Sequence, residues 1–340
     1  MKTSVFKDWT DVLPESVETL HVFPKHRPQT PRTDYLTQFY KQNPLGPSKR
    51  WISHSIWGYA ALLWVNPARE VVHQHWLEAT NTKGILAWCW KWFFLQQFLL
   101  RGGHFVWTCH NIEPHDESNR WLNGQIQQWL LHHASAVLVH CSGTSSRLKG
   151  SKELTNKAFF LIEHPSFEVQ LLGKHECRQY IKKSFELDDY LLTNNVLVYF
   201  GNIATYKQIP LAIEPFLEQE EYVFWIVGPT KPDGAQTLEW LSQQAALHPN
   251  RFWIHPIHVN DEETERIVSA ADVLVYNHRA IEMSGGVALG LSAGMPTVAP
   301  ATGCLKELSL QSIQGLHTDH LHTFSSLEEM VQIVDKLCAS

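Results

Sequence analysis

The sequence predicts an α/β protein of two doubly wound, Rossmann-like domains, and three features predict it. Strand-length runs such as "NVLVYFG" (195–201) and "YVFWIVG" (222–228) are apolar almost without a break, as expected of parallel strands covered by helices on both faces. Such runs alternate with helix-length segments along the chain, the rhythm of βαβ units. The rhythm breaks once, across 164–194, where "HPSFEVQLLGKHE" and the residues up to Asn194 are polar and mixed. A chain of 340 residues exceeds one core of ordinary size, so the break reads as the connection between two domains.

Taken in order, the first half offers strands at 18–24, 69–76, 103–111 and 135–141, with helices at 84–100 and 120–133 between them. The second half offers strands at 195–201, 222–228, 251–256, 271–277 and 295–301. The tail "SSLEEMVQIVDKLCAS" opens on serine caps and keeps helical periodicity. The domains are therefore expected at 1–168 and 169–324, followed by a C-terminal helix over 325–340.

Hydrophobic residues at 44% and charged residues at 18% describe a folded soluble chain. A net charge of -6 excludes a general nucleic-acid binder, which carries a basic face. The six cysteines include no CxxC pair, which suits reduced thiols in a cytoplasmic protein. The N-terminus "MKTSVFKDWTDVLPE" lacks an apolar signal core, so export is not expected. Twenty histidines are spread over separate elements without an HExxH or a Cys/His cluster, so no metal is expected.

Open parallel sheets bind ligands beyond the carboxyl ends of their strands, and three such loops carry candidate residues. In "YNHRAIEMSGGVALGLSAGMPTVAP" (276–300), Ser284, Gly285 and Gly286 precede a helix read as Val287–Ala293. A helix N-terminus there would hold a phosphate; the alternative is that the glycines only permit tight helix–sheet packing. In "YFGNIATYKQIP" (199–210), Lys207 follows a strand end and is placed either to neutralise a diphosphate or on the solvated surface. In "VWTCHNIEPHDESNR" (106–120), a buried strand delivers His110, Asn111, His115, Asp116 and Glu117 to one loop. Such density suits a polyhydroxyl substrate and proton transfer, though Pro114 and Asp116 also make an ordinary turn.

Together these segments resemble the GT-B glycosyltransferases, in particular the bacterial group related to retaining mannosyl- and glucosyltransferases and exopolysaccharide enzymes. "GNIATYKQIP" is similar to that group's G-x-I-x-x-Y-K-G-I-P segment. "HQHW" (73–76) and "WTCHNIEPHD" (107–116) resemble its H-x-H-W and W-T-x-H-N-x-x-P-H-E segments, and 284–300 resembles S-G-x-x-x-L-A-L-S-x-G-x-P-V-x-A-P. The resemblance implies two Rossmann-like domains facing across a cleft, with the donor on the C-terminal one. It implies transfer of a hexose from a GDP-mannose- or UDP-glucose-type donor to a saccharide or lipid-linked acceptor, in polysaccharide or glycoconjugate synthesis. The nucleotide sugar is then a substrate, and no cofactor is implied.

Two departures qualify that pattern. Many relatives carry two glutamates separated by seven intervening residues, where this chain has Ile281 and Leu289, with Glu282 one residue off; relatives often place an arginine before the lysine, where this chain has Ala204 and Thr205. Donor binding is accordingly expected of Lys207, Glu282, Ser284, Gly285, Gly286 and, through ribose hydroxyls, Glu307, which could also be a surface helix residue. An inverting reaction would need a base, for which Asp116 and then His115 are the candidates; in a retaining one, His110 would bind the donor sugar. The missing glutamate pair motivates the alternative of a catalytically degenerate homologue serving as a nucleotide-sugar-binding or partner subunit.

The segment "KGILAWCWKWFFLQQFLLRGG" (83–103) is aromatic-rich, too short an apolar run to span a bilayer and interrupted by Lys91, Gln96 and Gln97. It reads either as a buried crossover helix or as a peripheral contact with the inner face of the membrane.

Overall fold

The computed structural model describes residues 9–77, 79, 81–112, 119–149, 158–279, 282–310 and 313–339. Two compact units form, one of residues 1–27 and 39–164, the other of residues 28–38 and 165–340. The boundary read at 168 thus falls at 164/165, and residues 28–38, read with the N-terminal domain, belong to the second unit.

Up to His164 the chain runs β1 (Thr19–Phe23), α1 (Tyr35–Gln42), β2 (Arg50–Ser53), α2 (Gly58–Ala61), β3 (Glu70–Gln74), α3 (Thr82–Leu100), β4 (His104–Thr108), α4 (Arg120–His133), β5 (Ala136–Val139), α5 (Ser142–Lys149) and β6 (Ala158–Leu161). The strands form one parallel sheet in the order β2-β1-β3-β4-β5-β6. Strand order reverses between β1 and β3, which makes the ends of those strands the crevice of this unit. Val72, Phe105 and Val137 are fully buried at its centre.

The second unit continues with α6 (Lys174–Phe185), α7 (Tyr190–Thr193), β7 (Asn195–Phe200), α8 (Ile209–Ile213), β8 (Tyr222–Val227), α9 (Ala235–Leu247), β9 (Phe252–His255), α10 (Asp261–Ala270), β10 (Val273–Val275), α11 (Gly285–Ala293), β11 (Thr297–Pro300), α12 (Leu305–Leu308), β12 (Leu321–Phe324) and α13 (Leu327–Cys338). Its parallel sheet has the order β12-β11-β10-β7-β8-β9. The sheet is doubly wound, and its switch point lies between β7 and β10. The helix read as a separate tail, α13, buries Met330 and Val334 in this unit's core.

Three strands escaped the sequence reading: β2, β6 and β12. Each has four residues and sits at a sheet edge. β2 alternates exposed and half-buried positions, so it leaves no apolar run to detect, whereas β6 is the short apolar run Ala158–Leu161 with no buried residue. Helix α6 lies inside the segment read as a connection; only Cys177 and Ile181 of it are buried, too thin a stripe to stand out among its charges.

Residues 28–38 join the second unit through polar contacts with α10. The Thr33 hydroxyl donates to Asp261 Oδ1 (2.5 Å), the Arg32 N–H to Asp261 Oδ2 (2.9 Å), and the Arg32 guanidinium meets Glu265 at 3.3 Å. Those carboxylates lie in the first turns of a helix capped by Asn260 and Glu263, where negative charge is favoured by the helix dipole.

Candidate functional site

In the second unit, the loops leaving β7 and β10 meet at the switch point. The β7 loop closes in a short turn, Thr205–Lys207, and the Tyr206 carbonyl accepts the Arg279 N–H at 3.0 Å. The Tyr276 hydroxyl, just past β10, donates to the Phe200 carbonyl at the end of β7 (3.2 Å). Lys207 is 7% exposed, and its Nζ donates to His278 Nε2 at 3.1 Å while lying 5.0 Å from the Tyr206 ring centre. Among the described residues no carboxylate stands within ion-pair distance of it. Loss of hydration pushes the Lys207 pKa down to about 7, because burial disfavours the charged form when nothing offsets it. A lysine in that state is poised to take up an anion.

The glycines of the β10 loop separate into two kinds. The helix read from Val287 begins earlier, at Gly285, with Ser284 as its cap and Ser284 Oγ accepting from the Val287 N–H at 3.4 Å. A Cβ on Gly286 would lie 2.7 Å from both the Phe200 carbonyl and the Tyr276 hydroxyl, so helix–sheet packing demands glycine there. A Cβ on Gly285 would meet nothing within 4 Å, so no packing reason applies there. The packing alternative weighed for this loop therefore applies at Gly286 and not at Gly285.

Glu282 is 6% exposed, and its carbonyl accepts the Cys304 N–H at 2.7 Å, tying the β10 loop to the loop after β11. Glu307 is half-buried on α12. Lys207, Glu282, Ser284, Gly285, Gly286 and Glu307 thus all come after the carboxyl ends of β7, β10 and β11, three neighbouring strands. The sequence reading missed His278; its place three residues past β10, opposite a lysine from the adjacent strand, was the signal.

In the first unit the polar residues gather beyond β3 and β4. His110 Nε2 is 3.2 Å from His75 Nδ1, and the His110 ring stacks on Trp76 at 4.1 Å between centres and 15° between planes. His75, Trp76, His110, Asn111, Asn123 and Gln127 line a cleft at this end of the sheet. Asn123 and Gln127 of α4 are engaged with backbone: Asn123 Oδ1 accepts the Ala79 N–H at 2.8 Å, and Gln127 Nε2 donates to the Ile112 carbonyl at 2.8 Å. Burial pushes the His73 pKa down to about 3 and that of His140 down to about 4. His75 is held well below the usual range by burial, then by its histidine neighbours. The candidates His115 and Asp116, with Glu117, lie outside the described residues.

No family model matches this chain. It is 23% identical over 294 residues to the GDP-mannose:glycolipid 4-beta-D-mannosyltransferase of Xanthomonas campestris pv. campestris, covering 82% of this chain and 73% of that protein. Among solved structures, Anabaena HepE in complex with UDP and glucose matches with a TM-score of 0.66 at 14% identity, over 94% of this chain and 89% of that one. Sucrose-phosphate synthase from Thermosynechococcus elongatus matches with a TM-score of 0.61 at 16% identity, over 87% and 72% of the two chains. The fold is GT-B: two six-stranded parallel sheets flanked by helices. That is the architecture the resemblance implied.

Proposed function

We propose that this protein is a glycosyltransferase that moves a hexose from a nucleoside diphosphate sugar to a saccharide or lipid-linked acceptor. The observation that carries the reading is the buried Lys207 at the switch point of the second sheet, held against His278 of the loop that leads on to the cap of α11 and with no carboxylate partner among the described residues. Breaking the sugar–phosphate bond moves negative charge onto the leaving diphosphate. A preset ammonium and the Ser284–Gly286 amides would stabilise that charge more in the transition state than in the ground state. Glu282 and Glu307 come after neighbouring strands, as acceptors for ribose or sugar hydroxyls. His110 and its cleft serve sugar hydroxyls in the first unit. No step of this scheme calls on a cofactor.

The mannosyltransferase named above points to GDP-mannose as the donor and the HepE complex to UDP-glucose; neither relative favours a degenerate subunit. A thermal-shift screen against GDP, UDP and their sugars tests the reading. One base is expected to raise the unfolding midpoint by several degrees, and no shift with any of them would overturn it.

The aromatic segment supports a second contact, with a membrane face on the cytoplasmic side. Helix α3 turns Phe94, Leu95 and Phe98 into the core. Leu86, Phe93 and Leu100, seven residues apart and hence on one face, are 67%, 50% and 78% exposed. Beside that face, Trp57 and Trp64 are 72% and 80% exposed; Trp57 meets Trp90 edge-on at 5.7 Å, and Arg101 donates to the Leu63 and Val65 carbonyls. No aspartate or glutamate occurs in 35–69 or 79–112, while Lys83, Lys91 and Arg101 do, a pattern suited to anionic headgroups. No described helix is long and apolar enough to cross a membrane. Sedimentation with phosphatidylglycerol vesicles is expected, and lost in a Trp57→Ser, Trp64→Ser, Phe93→Ser variant; equal sedimentation of that variant would remove this contact.

A further inference from the structure

On the face of the first sheet opposite His73, a carboxylate and two histidines form a line that no step of the scheme above uses. His21 is in register with Ile52 of β2 and Val72 of β3. His54 lies two places after Ile52 and Glu70 two places before Val72, so the three side chains share a face on three adjacent strands. His21 Nε2 lies 2.5 Å from Glu70 Oε2, and His21 Nδ1 lies 2.9 Å from His54 Nε2. The two rings stack at 5.0 Å between centres, and His54 also stacks on Phe23. Gly58 makes the room, since a Cβ there would lie 2.5 Å from His54 Cβ. Among the described residues no cation other than His21 stands within ion-pair distance of Glu70. Arg50, on the same face of β2, donates to Thr19 Oγ1 instead (3.2 Å), and the Tyr59 hydroxyl of α2 donates to Gln74.

Proton counting gives this line a working end. One proton occupies the 2.5 Å contact and one the 2.9 Å contact, whichever heavy atom holds each. In that state the cluster carries the single negative charge of Glu70, and His54 Nδ1 is bare. A third ring proton enters at that nitrogen and makes the cluster neutral. Burial, then His21, push the His54 pKa below its usual value, so the lone pair is available at neutral pH. The Glu70 carboxylate favours the positive charge that arrives with the proton, as the acid of a catalytic triad does. His54 Nδ1 has no hydrogen bond among the described residues and is not sealed from solvent. It directly follows β2, at the carboxyl end of the sheet, where open parallel sheets bind ligands. It also stands three residues before Trp57, which belongs to the membrane contact proposed above.

We propose that Glu70, His21 and His54 form a proton relay in which His54 Nδ1 is the general base for the attacking hydroxyl of a lipid-linked acceptor, in a transfer that inverts the anomeric centre. The hydroxyl oxygen forms its bond to the anomeric carbon as the bond from that carbon to the diphosphate breaks. The electron pair of the broken bond leaves with the diphosphate, and the hydroxyl proton passes to His54 Nδ1. His54 is then the catalytic residue, and His21 and Glu70 are positioning residues. The role is the one expected of Asp116 or His115 in an inverting enzyme. The inference deepens the glycosyltransferase reading and rests on it for its consequence, though not for the relay itself.

His54→Gln is expected to lower transfer by about 100-fold or more, with nucleotide binding unchanged and the wild-type product inverted. In Glu70→Gln the rise of kcat/KM with pH should move to lower pH and its plateau should fall by about tenfold, because the base loses its anionic support. A purely structural role would lower stability without moving that profile. Full transfer by His54→Gln, retention of configuration, or a profile unmoved by Glu70→Gln would overturn the proposal. A second measurement needs no substrate: the long-range proton–nitrogen spectrum of the protein labelled with 15N-histidine, His54 being assigned by its loss in His54→Gln. A pyridine-type Nδ1 is expected at about pH 8, taking up a proton on acidification and doing so at lower pH in Glu70→Gln. An Nδ1 already protonated at about pH 8 would also overturn it. Absence of transfer from every nucleotide sugar, with that titration intact, would sink the glycosyltransferase reading and leave the relay standing without its acceptor.

Discussion

The carboxyl end of the second sheet and that of the first are built from the same plan, yet they solve the burial of nitrogen bases in opposite ways. Around His110, each buried ring is satisfied by the next: His75 by Tyr40, His73 by Tyr40 and Thr108. Neutrality is the low-energy state there, and burial pushes the His73 pKa down to about 3. Around Lys207, the nitrogen is nearly as buried and meets His278, with no carboxylate among the described residues to offset its charge. A primary amine starts with a pKa near 10.5, so the same desolvation brings it only to about 7, where a small perturbation restores its charge. At one end the buried bases are paired with one another and with hydroxyls; at the other, no carboxylate among the described residues offsets the amine.

The largest expected effect breaks the contrast outright. Lys207→Met should lower turnover by roughly 100-fold or more, the scale of removing one preset transition-state charge. The same change should raise the unfolding midpoint of the ligand-free protein, since a buried uncompensated amine is traded for an apolar chain. Unaltered turnover, or a lowered midpoint with turnover lost, would mean that Lys207 is structural.

Proton linkage sharpens it next. Free Lys207 is largely neutral above pH 7 and must be protonated beside a diphosphate, so nucleotide affinity should fall by up to about tenfold per pH unit between pH 7 and 9. Calorimetry in buffers of different ionisation enthalpy should show uptake of nearly one proton at pH 8. For the ligand-free fold the sign reverses. The depressed pKa means that the unfolded chain binds the extra proton between about 7 and 10, so this group's contribution to stability rises with pH over that window. A pH-independent affinity would place the nucleotide elsewhere.

The smallest effects divide the two glycines. Gly286→Ala forces a Cβ against the Phe200 carbonyl and the Tyr276 hydroxyl and should cost about 1–3 kcal/mol in urea unfolding. Gly285→Ala has room and should leave stability within about 1 kcal/mol, while weakening nucleotide binding several-fold by crowding the amide. Equal stability losses at both positions would make the loop a packing device only.

Much of this was legible in the residues. Near-continuous apolar strands announce parallel sheets, and helix 120–133 was placed at its observed ends, because continuous burial and periodicity are written locally. The candidate residues at 207 and 284–286 were singled out because they follow such strands, where open parallel sheets bind ligands. The edge strands β2, β6 and β12 were not found: each has only four residues, and in β2 and β12 polar residues interrupt the apolar ones. Residues 28–38 could not be allotted to the second unit either. Their partners Asp261 and Glu265 lie more than 220 positions away, and hydrogen bonds at that separation leave no periodic trace.

By itself, then, the sequence determined the class of fold and the order of its central strands, which derive from burial and spacing along the chain. Tertiary structure alone decided which nitrogen faces which. It placed His278 against Lys207, Tyr40 between His73 and His75, and a carbonyl where Gly286 would otherwise have a side chain. The reason is that charge state and tautomer depend on desolvation and on the partner at about 3 Å, and those partners come from different strands.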